Sequence, residues 1–428
     1  MTRSAATVGA RLATVLSLLV TMALGSRRLA TEEFGLWTIL FALMNFATAV
    51  DFGFRYGLGN RLAALKAVPN SDDEQRDSFL AVFHLECLIG LAGFLLFLGL
   101  LPWVDWPGLF KIQSPVLAAQ IRWLFPLVCG LLMLNQPLTL ASTAFFADQQ
   151  IVFISILSAV QWGLLVLAFW VGLYAHSFPA LVLAFFGMYL LCGGGVTVLL
   201  AVRRGWRWNW SPWRHQKSIL RSFSRPSLEF FALSLSAMTA NLIGPFLAGV
   251  VGGLKSAGDF WLIQRIFGLL LTLHLALLSP LAPAYTFHAR QGDWVWVKNK
   301  FLYSVRVVWP LLFIGGGLAL FLAHPLLLRL WSGRWIGDYW LAGLLAVSAI
   351  LAGWANTHSI LLNSLGIIRV QVVYSWIVLI PVIVLPVIFG KIFGIYGVAL
   401  ASAVCTAPAT FLYIGWVRSA LEYKQLNI

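Results

Sequence analysis

This sequence contains few charged residues, and acidic residues are the fewer of the two signs. Only 10% of its 428 residues are charged, and 15 acids stand against 29 lysines and arginines. A soluble protein of this length would carry about 25% charged residues. The hydrophobic fraction is 60%, and a single globule cannot bury that much apolar surface. The composition therefore excludes a soluble enzyme and predicts an all-α integral membrane protein.

Cysteine and long exported loops are also scarce. The four cysteines lie in apolar runs without a Cys-x-x-Cys spacing or a nearby histidine cluster, which excludes a disulfide framework and a metal site and indicates small buried side chains. They are Cys87, Cys129, Cys192 and Cys405. The longest predicted outer loops are 102–118 and 324–338, too short to hold the acceptor of a membrane-embedded glycan polymerase or ligase. We expect no catalytic residue and no cofactor.

Long apolar runs are what the sequence does have. Twelve of them are long enough, at roughly 20 residues each, to cross a hydrocarbon core about 30 Å thick as helices. Their predicted bounds are 7–25, 34–54, 79–101, 119–145, 151–175, 180–202, 226–252, 260–283, 301–323, 339–364, 371–390 and 395–417. The first run has the basic start of a signal peptide, but eleven further spans favour an uncleaved helix.

The distribution of basic residues predicts the topology. With the N-terminus inside, the cytoplasmic loops and ends hold about 18 lysines and arginines, against about 7 in the opposite loops. Both termini are therefore predicted in the cytoplasm. The basic loops are expected to face anionic phospholipids.

The loop 203–225 separates two halves of six spans each. Its tryptophans alternate with arginines, a pattern that can stack on single-stranded nucleic acid. Between two membrane spans the same residues prefer the headgroup region, so we predict an interfacial linker and no nucleic-acid partner. The predicted domains are a lobe at 1–202, this linker, and a second lobe with a short tail at 226–428.

The two halves show a weak internal repeat. Thr31–Trp37 enters span two and Ala257–Leu262 enters span eight, each with an acid followed by Phe, at an offset of about 226 residues. A parallel repeat of six plus six spans predicts two pseudo-symmetric lobes with a cavity between them, the geometry of many alternating-access transporters.

Several short motifs along the chain resemble those of a known family. They are Phe34-Gly35-Leu36-Trp37, Asp51-Phe52-Gly53-Phe54, Asn60-Arg61, Pro283-Ala284-Tyr285, Asn363-Ser364-Leu365-Gly366 and Gly394-Ile395-Tyr396-Gly397-Val398-Ala399-Leu400-Ala401. In order and spacing they resemble the polysaccharide (O-antigen and capsule) flippases of the multidrug/oligosaccharidyl-lipid/polysaccharide (MOP) exporter superfamily.

The resemblance implies a MATE-like V of two six-helix lobes in the bacterial inner membrane. It implies that the protein moves undecaprenyl-pyrophosphate-linked oligosaccharide, an O-antigen or exopolysaccharide repeat unit, from the cytoplasmic to the periplasmic leaflet. Other polysaccharide-assembly membrane proteins are then expected partners. Related flippases draw cavity cations from spans one, two and eight, which here carry Arg11, Arg55 and Arg265.

These three arginines lie in or next to predicted spans, where a charged side chain carries a free-energy cost. A charge at membrane depth costs at least about 2.5–3.5 kcal/mol. Arg265 has no acid at i±3 or i±4, which makes it a candidate anion ligand. Arg55 follows Asp51 at i+4, so a structural ion pair and a substrate role both stay open. Arg11 either lines a cavity or extends to the headgroups.

Uncharged polar residues and buried acids complete the candidates. Asn45, Gln264 and Asn356 are predicted to bind substrate, although the stripe formed by Asn356, Ser359 and Asn363 would serve equally to join helices. His84, His274 and His358 are read as packed neutral imidazoles. The candidates for ion coupling are Glu86, Glu229 and Asp51. Coupling to membrane potential, to Na⁺ or to H⁺ stays open.

The chemistry suits an anionic cargo. A pyrophosphate group crossing hydrocarbon faces an idealised Born cost of about 20 kcal/mol per ion, which a hydrated cleft lined with guanidinium groups would reduce. A multidrug or cation antiporter of the same superfamily is the nearest alternative, and its cleft should instead be acidic.

Overall fold

The structure is a computed structural model that describes residues 2–47, 53–66, 68–206, 213–278 and 281–425. Within those ranges the description is limited to the backbone at residues 2–12, 14–15, 45–46, 213–214, 223, 225–226, 228–230, 232–242, 283 and 423–425. All regular secondary structure in the described ranges is helical, which confirms the predicted fold class.

The chain divides into two compact units, residues 1–234 and 235–428. The boundary falls inside the tenth helix, and the predicted lobes and linker stay a prediction. The helices up to that point are α1 Thr2–Arg28, α2 Thr31–Ala47, α3 Phe54–Leu65, α4 Asp72–Leu100, α5 Trp106–Leu109, α6 Pro115–Leu138, α7 Leu140–Ala147, α8 Ile151–Tyr174, α9 Phe178–Arg204 and α10 Trp213–Leu278. Those that follow are α11 Leu281–Arg290, α12 Trp294–Tyr303, α13 Gly317–Ser332, α14 Tyr339–Ser364, α15 Arg369–Leu379, α16 Pro381–Phe393 and α17 Ile395–Gln425, with π-helical turns at Ser304–Val308 and Pro310–Gly316.

In the described ranges, nine helical stretches are long and apolar enough to span a membrane. They are Asp72–Trp103, Pro115–Ala147, Ile151–Tyr174, Phe178–Arg204, Ile243–Leu278, Trp294–Ser332, Tyr339–Ser364, Arg369–Phe393 and Ile395–Glu422. They overlap predicted spans three to six and eight to twelve, although Ile243–Leu278 also includes the last ten residues of predicted span seven. They indicate a multi-pass membrane protein. The total of twelve spans stays a prediction.

The predicted loop between spans seven and eight is wrong. Helix α10 continues through Ala257, Gly258 and Asp259, and only Gly253 is non-helical, at φ 81° and ψ 176°. Because glycine adopts positive φ without a steric cost, this one residue changes the direction of the chain. In the second half of the internal repeat, Asp259 therefore lies inside a helix. Its counterpart in the first half, Glu33, lies in the first turn of α2.

Three predicted spans contain internal breaks at prolines. Span four divides at Thr139, two residues after Pro137, and span eleven divides between α15 and Pro381. Span nine contains the two π-helical turns around Pro310. Proline lacks the backbone N–H that closes the helical ladder and its ring clashes with the carbonyl four residues earlier. Each break thus has a local cause in the sequence.

The core of the first unit includes a group of aromatic rings around Trp37. Its indole lies 4.8 Å from the rings of Phe169 and Phe185, measured between centroids. Phe34 and Trp37 are completely buried, so the first motif of the family resemblance serves packing. Tyr285 of α11, from another of these motifs, is also buried, at 2% exposed.

Gly53 shows why a glycine precedes α3. Its φ is +73°, and a Cβ placed there would lie 1.9 Å from the backbone oxygen of Ser227 on α10. A side chain would therefore be strained and would also overlap the neighbouring helix. Glycine lets α10 approach the start of α3 directly.

The second unit has its own core. It is built from apolar side chains of α11, α12 and α14 to α17, including Phe301, Leu361, Tyr374 and Val382. Each unit therefore contains a buried apolar cluster that can hold its helices together.

Candidate functional site

Arg55 is the centre of a polar cluster in the first unit. Its Nη2 donates to Thr139 Oγ1 at 2.5 Å and lies 3.4 Å from Gln136 Oε1. Arg55 is the second residue of α3, ten residues before Leu65. At 1.5 Å per residue this places it about 15 Å from the Leu65 end of that helix. Side-chain oxygens of Gln136 and Thr139 thus both contact this guanidinium.

The break between α6 and α7 supplies these oxygens. Pro137 ends the regular ladder of α6, and Thr139 begins the next helix with its hydroxyl donating to Gln136 O at 2.7 Å. The Leu138 carbonyl at the break accepts from Thr197 of α9 at 2.8 Å. The side chains of Gln136 and Thr139 therefore face Arg55 because the helix is interrupted here.

Two further residues adjoin this cluster. Tyr189 of α9 is within electrostatic range of Arg55 and hydrogen-bonds Asn135. Asn135 is 2% exposed, and a Cβ added at Gly193 would lie 2.3 Å from its Oδ1. Asn135 therefore fits only because α9 has a glycine at the contact.

The loop end of the first unit contains an ionic cluster around Asp148. Arg204 at the end of α9 donates to both carboxylate oxygens of Asp148 at 2.5 Å, and Lys66 at the end of α3 lies 3.3 Å from Oδ1. Arg204 also donates to Gln75 Oε1 at 3.2 Å. These residues line a polar cavity of about 280 Å³. The Asp148 side chain is only 7% exposed.

Arg265 lies in the second unit on the part of α10 that follows the kink. Its guanidinium carbon is 5.3 Å from the ring centroid of Trp261, and its Nε is buried. Because this helical part begins after Gly253 and ends at Leu278, Arg265 is about 17 Å from one end and about 20 Å from the other. Predicted span eight, 260–283, places Arg265 near its start, which is wrong because the helix begins just after Gly253. Gln264 lies beside Gly244 and Phe260.

The polar stripe on α14 divides into two parts. Ser359 donates to Gln371 Oε1 at 2.5 Å, and Gln371 Nε2 donates to Asn363 Oδ1 at 2.8 Å. Ser359 and Asn363 therefore join α14 to α15. Within the described part of the chain, the side chain of Asn356 makes no hydrogen bond to another residue, and its substrate role stays a prediction.

Several predicted site residues cannot be placed. Asp51 lies outside the described residues, and the side chains of Arg11, Asn45 and Glu229 lie outside them as well. Their predicted roles are untested. Glu86 is buried on α4, 2% exposed.

Helices α4 and α6 approach closely one turn from Glu86. A Cβ at Gly90, one turn further along α4, would lie 3.0 Å from the Met133 backbone oxygen of α6. Met133 lies four positions before Pro137. Because proline has no backbone N–H, the Met133 carbonyl lacks its usual helical donor. The glycine thus lets α4 come close to the break in α6.

The predicted histidines are packed within the units. His84 hydrogen-bonds Gln216, His274 lies 3.0 Å from Thr357 Oγ1, and His358 lies 2.9 Å from the Trp354 oxygen. Of the cysteines, Cys405 is buried, but Cys87 is exposed and Cys129 and Cys192 are half-buried. The prediction of four buried thiols is wrong, because apolar residues of a membrane helix also face lipid.

A second group of charges lies at the loop before α14. Asp259, the only acid in the candidate span Ile243–Leu278, is within electrostatic range of Lys255, Arg334 and Asp338. Burial lowers the pKa of Arg334, and the Asp259 carboxylate opposes that shift. This acid is therefore surrounded by charges of both signs.

The polar clusters contain residues that sequence reasoning missed. Asn135 and Gln136 directly precede Pro137 in an apolar run, a signal for a broken helix that could have identified them. No local pattern connects Asp148 with Arg204, because 56 residues separate them.

Comparison with known proteins supports the fold. No protein-family model and no curated protein sequence matches this chain. The chain is similar to the inward-facing conformation of a multidrug resistance MATE family transporter of the MOP superfamily, with TM-score 0.71, 14% identity, and coverage of 96% of this chain and 95% of that one. It is also similar to the outward-facing conformation of such a transporter, with TM-score 0.57, 16% identity and 97% of each chain covered.

A third similar structure is a MOP superfamily transporter from Pyrococcus furiosus Vc1. The TM-score is 0.58 at 15% identity, with 97% of each chain covered, and reverse polarity of its binding pocket is described as suggesting a different function. At these identities the likeness concerns the fold. The described helices thus have the fold of MATE family transporters over nearly the whole chain.

Proposed function

We propose that this protein is a transporter that flips polyprenyl-pyrophosphate-linked oligosaccharide, an O-antigen or exopolysaccharide repeat unit, across the bacterial inner membrane by alternating access. The fold supports a transporter, because the similar structures are transporters in inward-facing and outward-facing conformations. The residues at membrane depth favour an anionic cargo.

The observation that carries the proposal is the position of Arg265. A guanidinium near the middle of a candidate span costs several kcal/mol, and such a residue marks a substrate or ion pathway by default. Trp261 supports the cation through its ring face, and a phosphate oxygen pair matches the fork of its N–H groups. Arg55 offers the same chemistry in the first unit, held by Gln136 and Thr139.

The alternative is a multidrug or cation antiporter, as several similar structures are described as multidrug transporters. A cationic drug needs an acid in its binding site. Asp259 is the acid nearest to Arg265 along α10, and it interacts with Lys255 and Arg334. The P. furiosus transporter, whose reversed pocket polarity is taken to suggest a different function, is a precedent for variation in pocket charge within the superfamily.

The test is flipping of a fluorescent polyprenyl-pyrophosphate oligosaccharide in proteoliposomes. We expect the native protein to expose the headgroup to an external quencher, and we expect Arg265→Gln to lower the initial rate at least about tenfold, since a bidentate phosphate contact is lost. Arg265→Lys should restore only part of the rate, because an ammonium cannot form the fork.

The matched control is Arg306→Gln. Arg306 is an exposed arginine in another candidate span, Trp294–Ser332, and its removal should leave flipping unchanged. Native protein that moves ethidium against a gradient but does not move the lipid-linked glycan would support the drug antiporter. Full activity of Arg265→Gln at normal abundance would remove Arg265 from the site.

A further inference from the structure

Helices α3 and α7 lie side by side, and polar side-chain contacts connect them at both ends. At one end Arg55 donates to Thr139, and at the other Lys66 donates to the Asp148 backbone oxygen at 3.2 Å and lies 3.3 Å from its Oδ1. These two ties are about 14–17 Å apart along the helices. We call these two helices the α3–α7 pair.

The middle of the α3–α7 pair is close-packed. A Cβ at Gly59 would lie 3.2 Å from Thr143 Cγ2, so the two helices are in direct contact there. Leu58 and Leu62 of α3 belong to the same buried cluster as Leu140 and Ala144 of α7. With contacts at both ends and in the middle, the pair should behave as one rigid body.

Asp148 fixes this rigid body to the rest of the first unit. Its carboxylate binds Arg204 of α9 through two short hydrogen bonds and also faces Lys66 of α3. Arg204 extends the connection to Gln75 of α4. A single, almost completely buried carboxylate thus joins the ends of α3, α7 and α9.

We propose that Asp148 is a positioning residue for Arg55 and acts through the α3–α7 pair. The inference rests on the proposed function, in which the Arg55 guanidinium binds the anionic head of the cargo. Loss of the Asp148 charge leaves Arg204 and Lys66 without their shared carboxylate. The pair can then shift relative to α9, and the Arg55 guanidinium moves with it. Displacement of a binding group by about 1 Å is enough to weaken an oriented contact severely.

A purely local role would predict something different. If Asp148 only orders the loops near it, its loss should affect Lys66–Ser71 and Gln149–Ile151 and leave the start of α3 unchanged. Because Arg55 lies at the far end of the α3–α7 pair from Asp148, a measurement at the start of α3 distinguishes a positioning role from a purely local one.

The first measurement is hydrogen–deuterium exchange of the full-length protein without cargo. In Asp148→Asn we expect amides at the start of α3, around Arg55–Gly59, to exchange at least about tenfold faster than in the native protein. Asp73→Asn is the matched control, because it removes an exposed carboxylate from the Arg76–Asp73 pair on α4 and touches neither helix of the pair. Faster exchange confined to the loops beside Asp148 would overturn the inference.

The second measurement is concentration-dependent flipping of the lipid-linked glycan. Asp148→Asn should raise the apparent KM about tenfold and change the maximal rate by less than about twofold, since the binding group is misplaced and the transport step is not. A fall of about tenfold in the maximal rate, with the apparent KM unchanged, would contradict the inference. Lys66→Met, which removes one of the two end ties and leaves Arg204 on Asp148, should show a smaller effect in the same direction if Asp148→Asn does not fold.

The two measurements separate the two proposals. If the native protein does not move lipid-linked glycan, the proposed function fails, while exchange at Arg55–Gly59 still reports whether Asp148 holds the pair. If flipping is present but exchange at the start of α3 ignores Asp148→Asn, the positioning role fails and the proposed function stands.

Discussion

At the scale of single residues, Arg55, Arg265 and Arg204 contact different chemical groups. Thr139 and Gln136 bind Arg55 with neutral oxygens, and Trp261 supports Arg265 with a ring face. Arg204 instead binds a carboxylate in two hydrogen bonds. A carboxylate both orients a guanidinium and offsets its charge, so the contact with Asp148 gives Arg204 a structural role.

Gly53 gives a prediction at this scale. Gly53→Ala should destabilise the protein by at least about 3 kcal/mol, because left-handed backbone strain adds to an overlap with the Ser227 carbonyl. The measurement is the thermal midpoint of the detergent-solubilised protein by fluorescence-detected gel filtration. Gly99→Ala is the control, since open space surrounds a Cβ at that position. A midpoint equal to that of Gly99→Ala would show that α10 can move away from α3.

At the scale of elements, the interruptions of spans bring the functional candidates together. Pro137 breaks the fourth predicted span and turns Gln136 and Thr139 toward Arg55. Transporters commonly build binding sites from discontinuous helices, because the interrupted backbone offers polar groups inside the membrane. The α3–α7 pair is the arrangement that results in the first unit.

A cross-link tests whether that pair moves as one body. In a background without the four native cysteines, Gly59→Cys with Thr143→Cys should form a disulfide, because the Gly59 Cβ position and Thr143 Cγ2 are about as far apart as Cβ and Sγ across a disulfide. We expect flipping at the same rate before and after reduction, since a rigid pair loses no motion. The measurement is the flipping rate with oxidant and with dithiothreitol.

Inhibition by oxidant that dithiothreitol reverses would show that α3 and α7 separate during transport. The single variants Gly59→Cys and Thr143→Cys are the controls, because each carries one new thiol and forms no cross-link. Inhibition of either single variant would point to the substitution itself and away from a constraint on motion.

At the scale of the whole molecule, the excess of basic over acidic residues bears on energy coupling. An interior-negative potential of 100 mV favours outward movement of each negative charge by about 2.3 kcal/mol, and a pyrophosphate cargo carries at least two such charges. We predict that an imposed potassium-diffusion potential, negative inside, raises the rate of outward flipping in proteoliposomes. Collapse of the potential with valinomycin at equal potassium should return the rate to its starting value.

The contrary outcome has its own interpretation. A rate that ignores the potential and follows a sodium or proton gradient would indicate an ion antiporter. The candidates to test by amide substitution would then be Glu86, Glu229 and Asp51. Of these, Glu86 is buried on α4.

The sequence alone determined that this chain is an all-helical, multi-pass membrane protein, and it identified nine spans that the structure contains. Those properties follow from the length and composition of continuous segments, because a bilayer imposes its thickness on each helix separately. The predicted spans run without interruption through Pro137, Pro310 and Pro381, although the backbone preferences of proline are local and could have indicated those breaks.

Only the tertiary structure decided which residues meet at those breaks. Arg55 lies against Gln136 and Thr139, more than 80 residues away, and Asp148 meets Arg204 across 56 residues. The sequence could assign Ser359 and Asn363 equally to sugar binding or to helix contacts. In the structure both form hydrogen bonds with Gln371. Helical periodicity specifies the face on which a side chain lies, but its partner depends on how separate helices pack.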